Sequence, residues 1–344
     1  NGLRGQAIGL SIGLAGALGA VTIGMPLPWM LGPMIFVMIA ATAGAPVTAP
    51  VKLRMLVVPI LGVMLGSGFH PSILGHLGDW ATTLLILPFF VVAAFSGAFV
   101  AYRYIGRYDP VTAYFCAAPG GLNDMLILGA EAGGDEKRIA LAHASRIFLV
   151  VTLVVFYYAF VLDVATTGDA RRYIEISAVP LPDLGILLAC AVLGSLIGPK
   201  FGLPAPQILG PMLLSGIVHL SGITDAPPPS LAVQSAQIVM GTVIGCRFIG
   251  AKPAEIAKDL GLASIAAGIM LIMAVAVAFL VTALTGIGMK ETFLSFSPGG
   301  LPEMSLLALS LDADVAYIAT MHIVRIVLVI AMAPVVFKLI GLRP

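Results

Sequence analysis

The sequence predicts an all-α polytopic membrane protein. Its expected plan is two inverted repeats of five transmembrane helices, each with a re-entrant or broken Pro-Gly-Gly helical hairpin. Three observations lead there. The 344-residue chain is 59% hydrophobic and only 10% charged, where soluble domains carry about a quarter charged residues, and its mean hydropathy is +1.06. Apolar runs such as Trp80 to Ala101 and Leu260 to Thr282 are long enough to cross the roughly 30 Å hydrocarbon core as helices. The third observation is an internal duplication.

Four landmarks recur in the same order, 178 or 179 positions apart. GMPLPWMLGPM (Gly24 to Met34) returns as GLPAPQILGPM (Gly202 to Met212), and LGVMLGSGF (Leu61 to Phe69) as MGTVIGCRF (Met240 to Phe248). APGGLNDM (Ala118 to Met125) returns as SPGGLPEM (Ser297 to Met304), and HASRI (His143 to Ile147) as HIVRI (His322 to Ile326). A fixed offset across four landmarks is the signature of a repeat. The first repeat is assigned to residues 1–165, a polar linker to 166–183 and the second repeat to 184–344.

Apolar segments place helices near 6–24, 30–45, 55–69, 80–102 and 139–162 in the first repeat. In the second they fall near 184–199, 206–222, 232–248, 260–285 and 314–338. The first of these resembles a signal peptide, but its partner in the second repeat argues for a retained helix. Residues 111–132 and 290–311 either turn back within the membrane or cross it. Lys and Arg accumulate on the cytoplasmic side. Hairpins put thirteen of them on one face and three (Arg171, Arg172, Lys290) on the other, whereas crossing segments give ten against six. The charge rule thus favours hairpins and an inverted pair, while both forms stay open.

Several function classes fall away. A net charge of +1 leaves no footprint for nucleic acid. Cys116, Cys190 and Cys246 form no C-x-x-C pair, so neither a disulfide framework nor a zinc site is indicated. The five histidines show no metal-ligand spacing, and no G-x-x-x-x-G-K loop for ATP is present. No metal or cofactor is expected, and no nucleophile motif suggests an enzyme.

The chemistry is concentrated at the duplicated breaks. Pro119, Gly120 and Gly121 form one hairpin tip, and Pro298, Gly299 and Gly300 the other. Irregular backbone at membrane depth survives only in a protein interior or beside a wet cavity, and glycine permits close approach of a solute or another backbone. Asn123 and Asp124, and Glu303 in the second copy, start the following short helices, whose N-termini attract anions. Asp124 and Glu303 are therefore candidates for binding a coupling proton or sodium ion. First-turn capping is the plainer alternative. Arg146 and Arg325 occupy matched places in apolar helices, where a charge faces a partner or a polar path. They read either as forks for a carboxylate or phosphate or as salt-bridge partners of Asp124 and Glu303. His143 and His322, three residues earlier on the same faces, read as proton relays or as hydrogen-bonded packing groups. The repeated LGPM segments hold no ionisable group and read as packing or dimer contacts.

With the paired Pro-Gly-Gly segments, the LGPM repeats and the two H-x-x-R motifs, the whole chain resembles the AbrB family of bacterial membrane proteins. That family has also carried an ammonia monooxygenase label, which this sequence does not support because no metal-ligand cluster is visible, and a role in regulation of gene expression. The resemblance extends to the cation/proton antiporter and anion transporter superfamily. It implies inverted repeats, a scaffold and a moving core domain, elevator-type motion and a homodimer. The combined expectation is a multi-pass protein of the bacterial inner (cytoplasmic) membrane. It would move a small, anionic organic solute coupled to H+ or Na+. The alternative is a membrane sensor or regulatory protein on a transporter fold, acting on gene expression indirectly.

Overall fold

The computed structural model describes residues 2–71, 75, 77–158, 174–250 and 253–341; the side chains of 77, 123, 253–256 and 310 lie outside that description. So do residues 166–173 of the expected linker. Among the described residues the secondary structure is helical, and seven helices recur in one order. They are α1 (Gly2–Thr22), α2 (Pro28–Thr42), α3 (Val51–Gly66), α4 (Leu77–Val100), α5 (Pro110–Ala117), α6 (Leu122–Glu131) and α7 (Glu136–Phe156). Their counterparts are α8 (Leu181–Ile197), α9 (Pro206–Leu220), α10 (Ser230–Gly245), α11 (Pro253–Thr285), α12 (Met289–Phe296), α13 (Leu301–Ser310) and α14 (Val315–Ile340).

Among the described residues, seven helical segments are long and apolar enough to cross a membrane, where ten crossings were expected. The shortfall has a local cause. In α2 and α9 the helix cannot start before Pro28 and Pro206, because Leu27 and Ala205 are left-handed at φ 45° and 44°. Each ends against a left-handed glycine, Gly44 at φ 84° and Gly222 at φ 67°. The resulting 15 residues span about 22 Å, short of the hydrocarbon thickness. Helix α3 has 16 residues and carries Lys52 and Arg54 in its first turn.

The chain forms two compact units. The first comprises Asn1–Leu74, Val154–Ala251 and Ser305–Ala316, and so holds α1–α3 and α8–α10. Its helices meet through glycine contacts that obey the duplication. Helices α1 and α2 cross at Gly16 and Gly32, and a Cβ on Gly16 would lie 2.7 Å from the Gly32 carbonyl oxygen. Helices α8 and α9 repeat the crossing at Gly194 and Gly210, where each added Cβ would overlap the other backbone. Helix α3 then packs on α9 through Gly62 and Gly66, and α10 on α2 through Gly241 and Gly245. The LGPM segments are thus packing segments within the chain, with Gly32 and Gly210 as their crossing points.

The second unit comprises Gly75–Leu153, Lys252–Met304 and Tyr317–Pro344. It contains α4–α6, most of α7, α11, α12, the start of α13 and most of α14. Here α4 holds both breaks in place: Phe95 packs on Tyr114 of α5, and Phe90 on Phe296 of α12. It also ties down α14, through Trp80 against Tyr317 and a 2.9 Å hydrogen bond between Thr83 and Tyr317.

Helices α5 and α6 fold back as a hairpin. Asp109 caps α5 by accepting the Thr112 N–H at 2.8 Å, and Pro110 takes the first-turn place that lacks an N–H partner anyway. Burial works against the charge of Asp109, but the hydrogen bonds from Thr112 prevail and hold its carboxyl below the usual range. The cap is therefore in place at neutral pH and lost only in strong acid. Beyond α6, the Asp135 N–H donates to Thr112 Oγ1 at 2.8 Å, and a Cβ on Gly129 would lie 3.3 Å from Phe115. The chain thus leaves α6 beside the start of α5.

Candidate functional site

Each break begins with a proline that deprives a helix of a hydrogen bond. In α5 the carbonyl of Phe115 would take the N–H four residues on, but that residue is Pro119, which has none. In α12 Pro298 does the same to Leu294. The two histidines fill the vacancies. His143 Nε2 lies 2.8 Å from the Phe115 carbonyl oxygen, and His322 Nε2 lies 2.9 Å from that of Leu294. Donation from Nε2 fixes the neutral tautomer with a lone pair on Nδ1. That lone pair accepts from arginine: Arg146 Nη2 at 3.1 Å in one copy, Arg325 Nη2 at 3.0 Å in the other.

The arginines then clamp the breaks. Arg146 donates to the Ala118 carbonyl at 2.9 Å and reaches Gly120 O at 3.5 Å. Arg325 donates to Ser297 O at 2.7 Å and Gly299 O at 2.8 Å. The expected docking of each break on its H-x-x-R helix is present, and backbone carbonyls serve these bonds in place of the carboxylates. Both guanidinium groups are buried, at 5% and 3% exposure. Each keeps an Nε–H that is buried with no hydrogen-bond partner.

Asp124 and Glu303 occupy the third positions of α6 and α13, whose caps are Gly121 and Gly300. A Cβ on Gly121 would strike Asp124 Oδ2, and one on Gly300 would strike Glu303 Oε2. Each carboxylate has an oxygen beside its glycine cap, at the N-terminal end of its helix. Pro119 and Pro298 are buried. Gly120 packs against Val329, whose Cγ1 a Cβ would meet at 2.8 Å, and Gly299 packs against Met304. The backbone of Asn123 lies in α6; its side chain is outside the described part of the structure.

The two breaks converge on α14. Val329, beside Gly120, is one turn past Arg325 on the same helix face, and Arg325 holds Gly299. Tyr114 of the first hairpin donates to the Ala333 carbonyl of α14 at 2.8 Å. Arg146 and Arg325 are near enough to act on each other electrostatically. The arrangement is two buried like charges, each with an Nε–H donor to spare; such donors suit the oxygens of a carboxylate or phosphate.

Sequence reasoning missed the carbonyl acceptors, while the placement of Asp124 and Glu303 beside their glycine caps agrees with the first-turn alternative. The proline four residues after Phe115 and after Leu294 was the available signal for them.

A family profile described as "Transition state regulatory protein AbrB" matches residues 29–341. The chain is 27% identical over 354 positions to a Bacillus subtilis (strain 168) protein named "Uncharacterized protein YhjN", covering 96% of this chain and 92% of that one. It is 24% identical over 333 positions to "Putative regulator AbrB" of Escherichia coli (strain K12), covering 94% and 93%. Neither name states a substrate or a coupling ion.

Proposed function

The chain belongs to the AbrB family, and from that premise we propose that it is a secondary active transporter of a small, anionic organic solute, coupled to H+ or Na+. The observation that carries this reading is the matched pair of buried arginines, each held on a glycine break and each with an unpartnered Nε–H. A buried cation with a spare donor is costly, and an anionic ligand offsets that cost. Asp124 and Glu303 are the coupling groups. Their carboxylates compete with the solute for the positive ends of α6 and α13, and a proton or sodium ion that neutralises them favours solute binding. The histidines act as neutral spacers, since both ring nitrogens are committed to Arg and carbonyl partners.

In this reading the second unit carries the solute and the first is the scaffold, in an elevator-type cycle. The paired glycine contacts of the two halves support an inverted-repeat plan. The protein would act as a homodimer in a bacterial inner membrane, as a transporter and not an enzyme.

The test is uptake by proteoliposomes of labelled lactate, succinate, citrate and glutamate, with imposed proton or sodium gradients. Wild-type protein is expected to accumulate at least one of them. The Asp124→Asn, Glu303→Gln double variant should still exchange it down its own gradient but lose accumulation against it. Undiminished accumulation by that variant, or no movement of any probe by the wild type, counts against the proposal. A second reading, a membrane sensor, is favoured by the regulator names of the family and of one relative. It requires saturable binding of a probe without flux.

A further inference from the structure

Tyr102 is buried, at 2% exposure, and its hydroxyl has no hydrogen-bond partner. Buried tyrosine hydroxyls ordinarily find one. Tyr102 lies in a π-helical turn, Ala101–Ile105, directly after α4, a distortion that recurs at functional sites. Its neighbours are already committed. The Tyr108 ring stacks on it at 5.8 Å between centroids, and the Tyr108 hydroxyl donates to Asp259 Oδ1 at 2.6 Å. Arg138 lies 4.7 Å over the Tyr108 ring. The Tyr102 hydroxyl is within electrostatic reach of Cys116, Arg146 and Asp259, and Arg146 carries the other orphaned donor, its Nε–H. Both donors are buried without partners and sit in one electrostatic neighbourhood, and each buried donor gains from an acceptor.

We propose that the Tyr102 hydroxyl and the Arg146 Nε–H form an oxygen-accepting subsite for the transported solute, present in the first half only. The inference rests on the anion-binding reading of the arginines. The duplication makes the subsite one-sided: 179 positions on, Tyr102 is replaced by Val281, which is fully buried and has no polar atom to offer. A solute with a carboxylate at one end is therefore held in one orientation, with one of its oxygens accepting from Tyr102 at the Arg146 end. The competing occupant is an ordered water, which also fills a polar gap of this kind.

The test uses full-length purified Tyr102→Phe protein and wild type, titrated calorimetrically with lactate, succinate, citrate and glutamate. The best wild-type probe is expected to bind the variant about three- to tenfold more weakly, the loss of one neutral hydrogen bond. The melting temperature without probe should not fall, because the deleted hydroxyl has no protein partner. Unchanged affinity in the variant overturns the subsite in favour of a water, and leaves the transporter reading standing. A lowered probe-free melting temperature also overturns it, by showing that the hydroxyl serves the fold. Failure of the wild type to bind any of the four probes counts against both.

Discussion

Arg325→Ala protein is expected to lose solute binding altogether and to melt lower than Arg146→Ala protein. Both changes delete a buried cation that docks a Pro-Gly-Gly break, but the two clamps are unequal. Arg325 grips two carbonyls, at 2.7 and 2.8 Å. Beyond its histidine, Arg146 holds one carbonyl at 2.9 Å, and its contact with Gly120 O at 3.5 Å is too long to contribute much. Alanine at 325 strands the Ser297 and Gly299 carbonyls and the His322 Nδ1 lone pair. Each buried acceptor left bare costs about 1–3 kcal/mol. Release of an uncompensated buried charge offsets part of that, so a net loss of about 2–4 kcal/mol is the working figure. Alanine at 146 strands Ala118 O and the His143 Nδ1 lone pair, and about two-thirds of that loss follows. Melting curves in detergent and calorimetric titration with the best wild-type probe check both orders. Equal melting temperatures, or retained binding in Arg325→Ala protein, would contradict the clamp as described.

The second large effect lies in the first unit and concerns folding alone. Gly210→Ala is expected to abolish monodisperse protein or to lower its melting temperature sharply. The new methyl would overlap the Gly194 carbonyl, and the Gly198 Cα lies 3.2 Å away. Both neighbours are backbone and cannot rotate aside as a side chain does. Overpacking of this kind costs about 1–3 kcal/mol, and more where the backbone itself must move. Gly261→Ala in α11 is the internal control, since nothing lies within 4 Å of the added methyl and alanine favours the helix. Size-exclusion profiles of the two variants give the comparison. A well-behaved Gly210→Ala protein would show that the α8–α9 crossing is looser than the structure has it.

Much of this architecture was legible in the residues. The duplication, the breaks and the matched His and Arg are written in residue type and spacing, and the structure carries every one of them in paired form. What spacing could not show was which atoms meet. Arg146 and Arg325 pointed to carboxylates because charge seeks opposite charge, yet their acceptors are carbonyls, which every residue has and no sequence pattern marks. The count of membrane-length helices also fell short of expectation. Hydropathy could not reveal that Leu27 and Ala205 turn left-handed and postpone the starts of α2 and α9. Tyr102 gave almost no signal, because one tyrosine in an apolar segment reads as packing. Only its replacement by Val281 in the second copy marked it as a departure from the duplication.

In the proposed transporter, Arg146 and Arg325, mounted on matched glycine breaks in one unit, hold a single anion between them. The most direct measurement is the number of probe anions bound per chain, by native mass spectrometry, in wild type, Arg146→Gln and Arg325→Gln proteins. One anion is expected on the wild type and none on either variant. Two anions on the wild type, with each variant losing only one, would contradict it by showing two independent sites.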